Sequence, residues 1–450
     1  MSHLFHRQLQ KRLPTIARGE GCYLVDTQGR RYLDASGGAA VSCLGHNHPG
    51  VAAAMKAQID AVAYVHSSYF TSAAAEDLAE RLTEGEPGGL SRAFFVAGGS
   101  EAVEAAIKLT RQYFLENGEP SRRHFISRRQ SYHGNTLGAL AISGNEPRRA
   151  AYLPYLFEAT KIAPCYPYRD RLADESQEEY GLRVAEELSA AIATLGPQNV
   201  AAFVAETVCG ATLGAQPAVP GYFRRIREIC DANGILLILD EVMCGMGRTG
   251  TLYAFEEEGV APDIVTSAKG LGAGYQPIGA VIVSRKVVDV ISRGTGTLRH
   301  GHTYMAHPVA CAAALAVQNA IRDQNLLANV RAQGAHLMAQ LAAVLGTNPE
   351  VARHIGDIRG RGLLTAVELV ADRATKSPFD PRLRIAERVK QTAFEMGLIC
   401  YPSSGTIDGT HGDHVLLAPP YIARQAEIDE AVQILSRALT AVLNTGTSPS

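Results

Sequence analysis

Short, mainly apolar segments alternate with amphipathic segments over the first three quarters of the chain. Apolar runs at 92–97, 199–208, 235–239 and 263–267 have the length of strands. A strand that is covered on both faces is apolar at nearly every position, so these runs are typical of buried strands. Apolar residues between the runs recur with helical spacing, for example in 101–116. The alternation predicts an α/β fold with a mostly parallel central sheet flanked by helices.

Reactive side chains stand at the ends of three of these predicted strands. Glu206 lies near the end of one strand, Asp240 directly follows the next, and Lys269 lies just beyond the third. Because parallel strands end at one edge of a sheet, we expect the three side chains to lie close together. A partly desolvated lysine is a nucleophile toward carbonyls, and a buried aspartate needs a cationic partner. Pyridoxal phosphate meets both needs, since its aldehyde takes the lysine and its pyridinium nitrogen takes the carboxylate.

Asp240 and Lys269 also have purely structural interpretations. An acidic pair after an apolar strand, here Asp240 and Glu241, often caps a helix or binds Mg²⁺. A lysine followed by glycine, as at Lys269, mostly lies in a solvated loop. Only the combination with the rest of the chain favours the cofactor.

A glycine-rich turn, Gly98, Gly99 and Ser100, separates the strand at 92–97 from the helix at 101–116. Glycine lets the backbone approach an anion, and the N–H groups and dipole of a helix start attract it. The turn therefore predicts a phosphate site, although a tight turn in which Ser100 caps the helix fits the pattern equally well. The spacing matches neither a Walker A loop nor a dinucleotide-binding fingerprint.

Composition narrows the class of protein. The chain has 450 residues, 46% of them hydrophobic, and a formal net charge of −2. A nearly balanced charge gives no reason to expect nucleic acid or a membrane surface as a partner. The eight cysteines are dispersed, which suits a reducing cytoplasm, and no apolar run approaches the roughly 20 residues of a membrane span. The N-terminus lacks the apolar core of a signal peptide, so we predict a soluble cytoplasmic protein.

The composition changes near residue 326, where a long Ala/Leu helix begins. Strands and helices then alternate irregularly up to a closing helix near 425–444, which predicts a smaller α+β domain. We expect the tail 445–450 to be disordered. The predicted divisions are an N-terminal part of the small domain at 1–60, a large domain at 61–325 and the rest of the small domain at 326–450.

Five motifs together resemble the class III pyridoxal-phosphate-dependent aminotransferases, of fold type I. They are GGSEAVEAAIKLTR, SYHGNTLGAL, LDEVMCGMGRTG, SAKGLGAGYQPIGA and GHTYMAHPVACAAALA. The resemblance covers nearly the whole chain and implies a large domain that binds the cofactor and a smaller domain built from both ends of the chain.

The resemblance also implies roles for individual residues. Lys269 forms the Schiff base with the cofactor, and Asp240 binds its pyridine nitrogen. The other implied cofactor-binding residues are Gly99 and Ser100 at the phosphate, Tyr132 and Val242 on the two ring faces, His133 in the stacking loop, Glu206 near the ring hydroxyl, and Thr303 at the phosphate of the neighbouring subunit. This arrangement implies a homodimer or a dimer of dimers, and no metal.

The implied activity is ping-pong transamination from an amine donor to a keto acid. Many members of the family place an arginine before a late Pro-Pro pair to bind a substrate carboxylate, but 397–423 contains none. Ala39 and Ala40 lie where some members carry bulky aromatic residues. We therefore predict an ω-type enzyme that takes an amine or an ω-amino acid and prefers pyruvate as acceptor. An arginine from elsewhere, such as Arg169 or one from a partner subunit, is the alternative source of a carboxylate site.

Two other functions remain open at this point. The same cofactor residues serve racemases, decarboxylases and lyases on this scaffold, because the outcome depends on which bond lies perpendicular to the ring. A non-catalytic scaffold that binds the cofactor is the other alternative, and the presence of both Lys269 and Asp240 argues against it.

Overall fold

The computed structural model describes residues 3–10 and 12–444, so the predicted disordered tail lies outside the described residues. The strands, in chain order, are β1 (Ile16–Glu20), β2 (Tyr23–Asp26), β3 (Arg31–Asp34), β4 (Leu90–Val96), β5 (His124–Arg128), β6 (Thr160–Ile162), β7 (Val200–Glu206), β8 (Val208–Cys209), β9 (Gln216–Pro217), β10 (Leu236–Asp240), β11 (Ile264–Ser267), β12 (Gly279–Ser284), β13 (Ile355–Arg361), β14 (Leu364–Leu369), β15 (Leu398–Ile399), β16 (Tyr401–Ser404) and β17 (Asp413–Leu417).

The α-helices, in chain order, are α1 (Gly37–Ala40), α2 (Pro49–Ala61), α3 (Ala73–Thr83), α4 (Gly99–Glu116), α5 (Leu137–Ile142), α6 (Glu146–Arg149), α7 (Pro167–Asp170), α8 (Gln177–Leu195), α9 (Tyr222–Asn233), α10 (Arg285–Arg293), α11 (Pro308–Asp323), α12 (Leu326–Thr347), α13 (Pro349–Ala352), α14 (Ile385–Glu395) and α15 (Gln425–Asn444). Short 3₁₀ helices span Pro87–Gly89, Ala150–Tyr155, Pro197–Asn199, Ala254–Glu258, Lys269–Leu271 and Pro381–Leu383. None of the helices in the described ranges is long and apolar enough to cross a membrane.

A seven-stranded sheet in the order β4-β12-β11-β10-β7-β5-β6 forms the centre of the large lobe. Only β12 runs antiparallel to its neighbours, which confirms the predicted mostly parallel sheet. Every residue of β7, β10, β11 and β12 is buried. Burial on both faces explains why these strands appear in the sequence as continuous apolar runs.

The register of this sheet aligns the ends of its central strands. Asp240 at the end of β10 lies opposite Glu206 of β7 on one side and Thr266 of β11 on the other. The three strands therefore end at one edge, as the sequence predicts. Lys269 follows β11 by two residues and lies at the same edge.

The smaller lobe is built from both ends of the chain, as predicted. One sheet has the order β1-β2-β3-β15, in which β15 pairs in parallel with β3, and a second has the order β13-β14-β17-β16. Helices α12, α14 and α15 pack together against these strands. The division at 325/326 falls at Asn325, between α11 and α12, and the domain limits themselves stay a prediction.

A buried ionic cluster joins the two lobes at Glu368 on β14. Arg169 of α7 donates to its Oε1 from Nε at 2.9 Å and from Nη2 at 2.6 Å, and Arg359 of β13 donates to Oε2 at 2.6 Å. Burial opposes ionisation, but the guanidiniums of Arg359 and Arg169 hold the pKa of the Glu368 carboxyl below its usual range. Arg169 is therefore committed to this cluster, which corrects the suggestion that it binds a substrate carboxylate.

Candidate active site

A cavity of about 1040 Å³ opens at the edge where the central strands of the large sheet end. With the single exception of Thr303, all the residues predicted to bind the cofactor line it. They are Gly99, Ser100, Tyr132, His133, Glu206, Asp240, Val242 and Lys269. Segments that are far apart in the sequence thus converge on one site.

Lys269 points its amine into this cavity from a strained backbone. Its φ of 43° lies in the left-handed region. Residues other than glycine rarely adopt this backbone conformation, which costs about 1–3 kcal/mol. Among the described residues the amine has no hydrogen-bond partner. Burial lowers the pKa of the Lys269 amine below that of a free lysine, although Asp240 and Glu206 act in the opposite direction. A neutral, unpartnered amine is the form that attacks a carbonyl carbon.

Asp240 is held in one orientation from two sides. His133 Nδ1 lies 2.8 Å from Oδ2, and the backbone N–H of Val242 donates to Oδ1 at 3.0 Å. Because a carboxylate only accepts, the proton of this pair lies on Nδ1 of the imidazole. Both side chains are buried, and His133 Nε2 has no partner within the described ranges. The carboxylate is thereby fixed at the floor of the cavity.

Glu206 is fixed beside Asp240 by donors from two loops. Its Oε1 accepts from the backbone N–H of Tyr132 at 3.1 Å and from Cys209 Sγ at 3.2 Å. Its Oε2 accepts from the backbone N–H of Gly210 at 2.8 Å. The contact with Tyr132 connects the loop that carries this residue to β7, which carries Glu206.

The start of α4 is arranged as an anion site. The helix begins at Gly99, and no side chain caps its first turn. Ser100 Oγ instead accepts from the backbone N–H of Asn135 at 3.0 Å, so the interpretation of Ser100 as a helix cap is wrong. The first N–H groups of the helix remain for a ligand. A Cβ at Gly99 would lie 2.8 Å from Val242 Cγ1, so the close approach at this turn requires glycine.

These residues fit pyridoxal phosphate group by group. Lys269 would hold the aldehyde through its amine, and the buried carboxylate of Asp240 would hold the pyridine nitrogen. The uncapped start of α4 would hold the phosphate, and the side chains of Tyr132 and Val242, which both line the cavity, would hold the ring. The roles of individual residues stay predictions, but the donor set has the chemistry that this cofactor needs.

Thr303 does not line the cavity of its own chain. It is exposed, and its carbonyl accepts from the Tyr64 hydroxyl at 3.0 Å. Two exposed aromatic side chains lie beside it, Tyr64 at 38% exposure and Tyr304 at 64%, with their ring centroids 6.1 Å apart. A role for Thr303 at another subunit's site stays a prediction, and its position outside this cavity is consistent with it.

The sequence interpretation missed part of the cavity wall. Arg7, Arg148 and Tyr401 line the cavity, and none of them follows a predicted strand in the way that Lys269 does. Arg148 lies in the segment 147–180, which the sequence presents only as a polar excursion. Its guanidinium carbon lies 4.4 Å from the ring centroid of Tyr132. No local signal distinguishes it from the arginine that follows it.

The two alanines near the entrance differ in position. Ala39 lines the cavity as predicted, whereas Ala40 is buried outside it. The cavity is therefore open where a large side chain at position 39 would narrow it.

Comparison with known proteins finds aminotransferases in both sequence and structure. The family profile Aminotransferase class-III matches residues 5–439. An uncharacterized aminotransferase of Schizosaccharomyces pombe is 45% identical over 443 residues, which cover 98% of this chain and 96% of that protein. An (S)-enantioselective omega-transaminase from Thermomicrobium roseum superposes with a TM-score of 0.90 at 34% identity, over 98% of this chain and 97% of that one. The PMP-bound aminotransferase from Vibrio fluvialis gives a TM-score of 0.88 at 33% identity, over 96% and 93%.

Proposed function

The chain belongs to the class III aminotransferase family, and we propose that it transfers an amino group from a primary amine or an ω-amino acid to a keto acid, preferably pyruvate, by ping-pong kinetics. Class III aminotransferases depend on pyridoxal phosphate, and one structural neighbour is a PMP-bound form. One observation carries the proposal: Lys269, Asp240 and the start of α4 converge on a single cavity.

The proposed division of labour follows from the contacts. Bound pyridoxal phosphate supplies an electron sink for the electrons released at the substrate carbon. Asp240, oriented by His133, would hold a proton at the pyridine nitrogen. The Lys269 amine, whose pKa burial lowers, would take the proton from the substrate carbon and pass it on to the cofactor. Tyr132 and Val242 would hold the ring in place and exclude water from its two faces.

The preference for amines rests on the shape of the cavity. The volume of about 1040 Å³ exceeds what the cofactor fills, and Ala39 leaves the entrance wide. The segment 397–423 carries no arginine that would impose a carboxylate on every substrate.

We further propose that the working unit is a cytoplasmic homodimer. The exposed side chains of Tyr64 and Tyr304 beside Thr303 form a surface that a second copy would cover, and Tyr304 lies in the segment predicted to reach the neighbouring site. The eight cysteines are buried free thiols, which suits a reducing compartment.

The test is a screen of the cofactor-loaded enzyme with simple primary amines, ω-amino acids and α-amino acids. A donor should convert the bound cofactor to its amine form, visible by absorbance, and a keto acid should restore it. We expect a higher kcat/KM for pyruvate than for 2-oxoglutarate with a simple amine as donor. A strong preference for 2-oxoglutarate, or activity only with α-amino acids, would overturn the proposed specificity. Loss of CO₂ or inversion without amino transfer would indicate a decarboxylase or a racemase instead.

A further inference from the structure

Arg148 lies at the rim of the cavity on a turn that the rest of the fold holds in place. The turn is the short helix α6, and the side-chain amide of its N-cap residue Asn145 donates to Gln130 Oε1 at 3.2 Å. The guanidinium stacks over the ring of Tyr132, with its carbon 4.4 Å from the ring centroid. The position of the charge is therefore set by an aromatic residue of the site itself.

The segment that lacks the family's arginine packs directly against this turn. Gln130 Nε2 donates to the carbonyl of Gly405 at 2.8 Å. A Cβ at Gly409 would lie only 2.6 Å from Cδ of Pro147, the residue before Arg148. The late loop and α6 are thus in contact, and a cation carried by α6 lies beside the segment from which a cation is missing.

The charge of Arg148 is not neutralised within the protein. In the described part of the chain it forms no ion pair and no side-chain hydrogen bond, whereas Nη1 of Arg149 pairs with Glu146 Oε1 at 2.5 Å. Burial lowers the pKa of the Lys269 amine, and the charge of Arg148 contributes in the same direction. A planar guanidinium with free N–H groups is well suited to bind a carboxylate through two parallel hydrogen bonds.

We propose that Arg148 binds the carboxylate of the keto acid acceptor, and of ω-amino acid donors, in place of the arginine absent from 397–423. The inference rests on the proposed function, since it concerns the substrates of the same site. With Arg148 in this role, the cavity can admit simple amines that lack a carboxylate and still recognise the carboxylate of pyruvate. Arg7 also lines the cavity, but within the described ranges no contact with an aromatic ring of the site fixes its position.

The test compares an acceptor with a carboxylate and one without, using one primary amine as donor. Pyruvate and propanal serve as the pair, with Arg148→Gln and Arg148→Lys as variants. Loss of a charge-assisted hydrogen bond should raise KM for pyruvate roughly 10-fold or more, with little change in kcat and little change for propanal. Arg148→Lys should restore part of the loss, because it keeps the charge but not the fork.

A second measurement does not depend on turnover. Propionate carries the carboxylate but cannot react, and its binding to the cofactor-loaded enzyme can be followed by calorimetry. We expect Arg148→Gln to weaken propionate binding by about the same factor as it raises KM for pyruvate, again roughly 10-fold. The matched control is Arg149→Gln, on the same turn but paired with Glu146, which should leave both measurements unchanged. Thermal melting of each variant checks that the turn remains folded.

The possible results separate this inference from the proposed function. Equal losses with pyruvate and propanal would mean that Arg148 only holds Tyr132 in place, and would overturn the inference. Unchanged propionate binding, or a carboxylate-specific loss in Arg7→Gln instead, would overturn it as well. If the unaltered enzyme transaminates no amine, the proposed function fails, and propionate binding still decides whether Arg148 is a carboxylate site.

Discussion

The floor and the mouth of the cavity are built in different ways. On the floor, Asp240 and Glu206 leave neighbouring parallel strands in register, and each carboxylate accepts hydrogen bonds from fixed donors. At the mouth, Arg148 lies on a short helix and Arg7 in a bend; both are exposed and lack ionic partners among the described residues.

The difference separates the part of the site that performs chemistry from the part that selects substrates. Strand ends in a close-packed sheet cannot move without disturbing the core, so groups placed there keep their geometry through the reaction. Exposed side chains on short turns can change at little cost to folding. Four substitutions test this division: two at the floor, one at the mouth, and one at Thr303, which lies outside the cavity of its own chain.

The largest effect is expected at the floor, from Lys269→Ala. Removing the amine removes the nucleophile and the group that moves the proton, so turnover should fall by roughly 10⁴-fold or more. The protein should remain folded, because the amine has no hydrogen-bond partner within the described ranges. Borohydride treatment followed by peptide mapping checks the site of cofactor attachment. Near-normal activity with a trapped adduct on another lysine would contradict the assignment.

A smaller but still large effect is expected from Asp240→Asn. The amide keeps the shape but loses the charge that holds a proton at the pyridine nitrogen, so the half-reaction with an amine should slow by roughly 10²–10³-fold or more. Stopped-flow absorbance measures that half-reaction, and cofactor affinity should fall less. A variant within a few-fold of the unaltered enzyme would remove Asp240 from the mechanism.

Thr303 tests whether a second copy completes the site. Thr303→Glu places a negative charge where the resemblance puts the partner's phosphate, and this variant alone should be strongly impaired. Mixed with Lys269→Ala, it should form hybrid dimers with one intact site, which would restore about a quarter of the unaltered activity at equal mixing. Sedimentation measures the oligomeric state, and a fully active monomer would refute the shared site.

The smallest effect is expected from Gly409→Ala, which disturbs only the mouth. The φ of Gly409 is 92°, and the added Cβ would press on Pro147, so stability should fall by about 1–2 kcal/mol and KM for pyruvate should rise modestly. The matched control is Gly29→Ala, where φ is 82° and no atom lies within 4 Å of the added Cβ. Denaturant unfolding and acceptor kinetics measure both variants. An equal rise in KM for the control would show that the contact with Pro147 has no influence.

The floor could be predicted from the sequence, and the mouth could not. Asp240 and Lys269 follow buried strands, so the apolar pattern alone indicates the edge at which they meet. Arg148 has the same local sequence character as Arg149, and only contacts with a loop more than 250 residues later distinguish them. The position of such a residue depends on tertiary packing, which no local pattern encodes.

In the fold, too, features that depend on the local sequence pattern could be predicted, and features that depend on contacts between distant segments could not. The strands and helices of the large lobe were predicted because their burial repeats along the chain. The reversed direction of β12 was not predicted, since strand direction within a sheet depends on the connections rather than on the strand's own residues. The hydroxyl of Ser100 was likewise ambiguous, because its partner, Asn135, belongs to another segment.

The parallel pairing of β3 with β15 has a consequence for synthesis of the protein. One edge of the N-terminal sheet finds its partner only after most of the chain has left the ribosome. Until then β3 presents unpaired backbone groups, which invite pairing with other nascent chains. The sheet of the small lobe can therefore be completed only late in synthesis. A chain that ends before residue 398 would keep the backbone groups of β3 unpaired. We expect a chain whose translation stops before β15 to aggregate rather than to fold into a shortened enzyme.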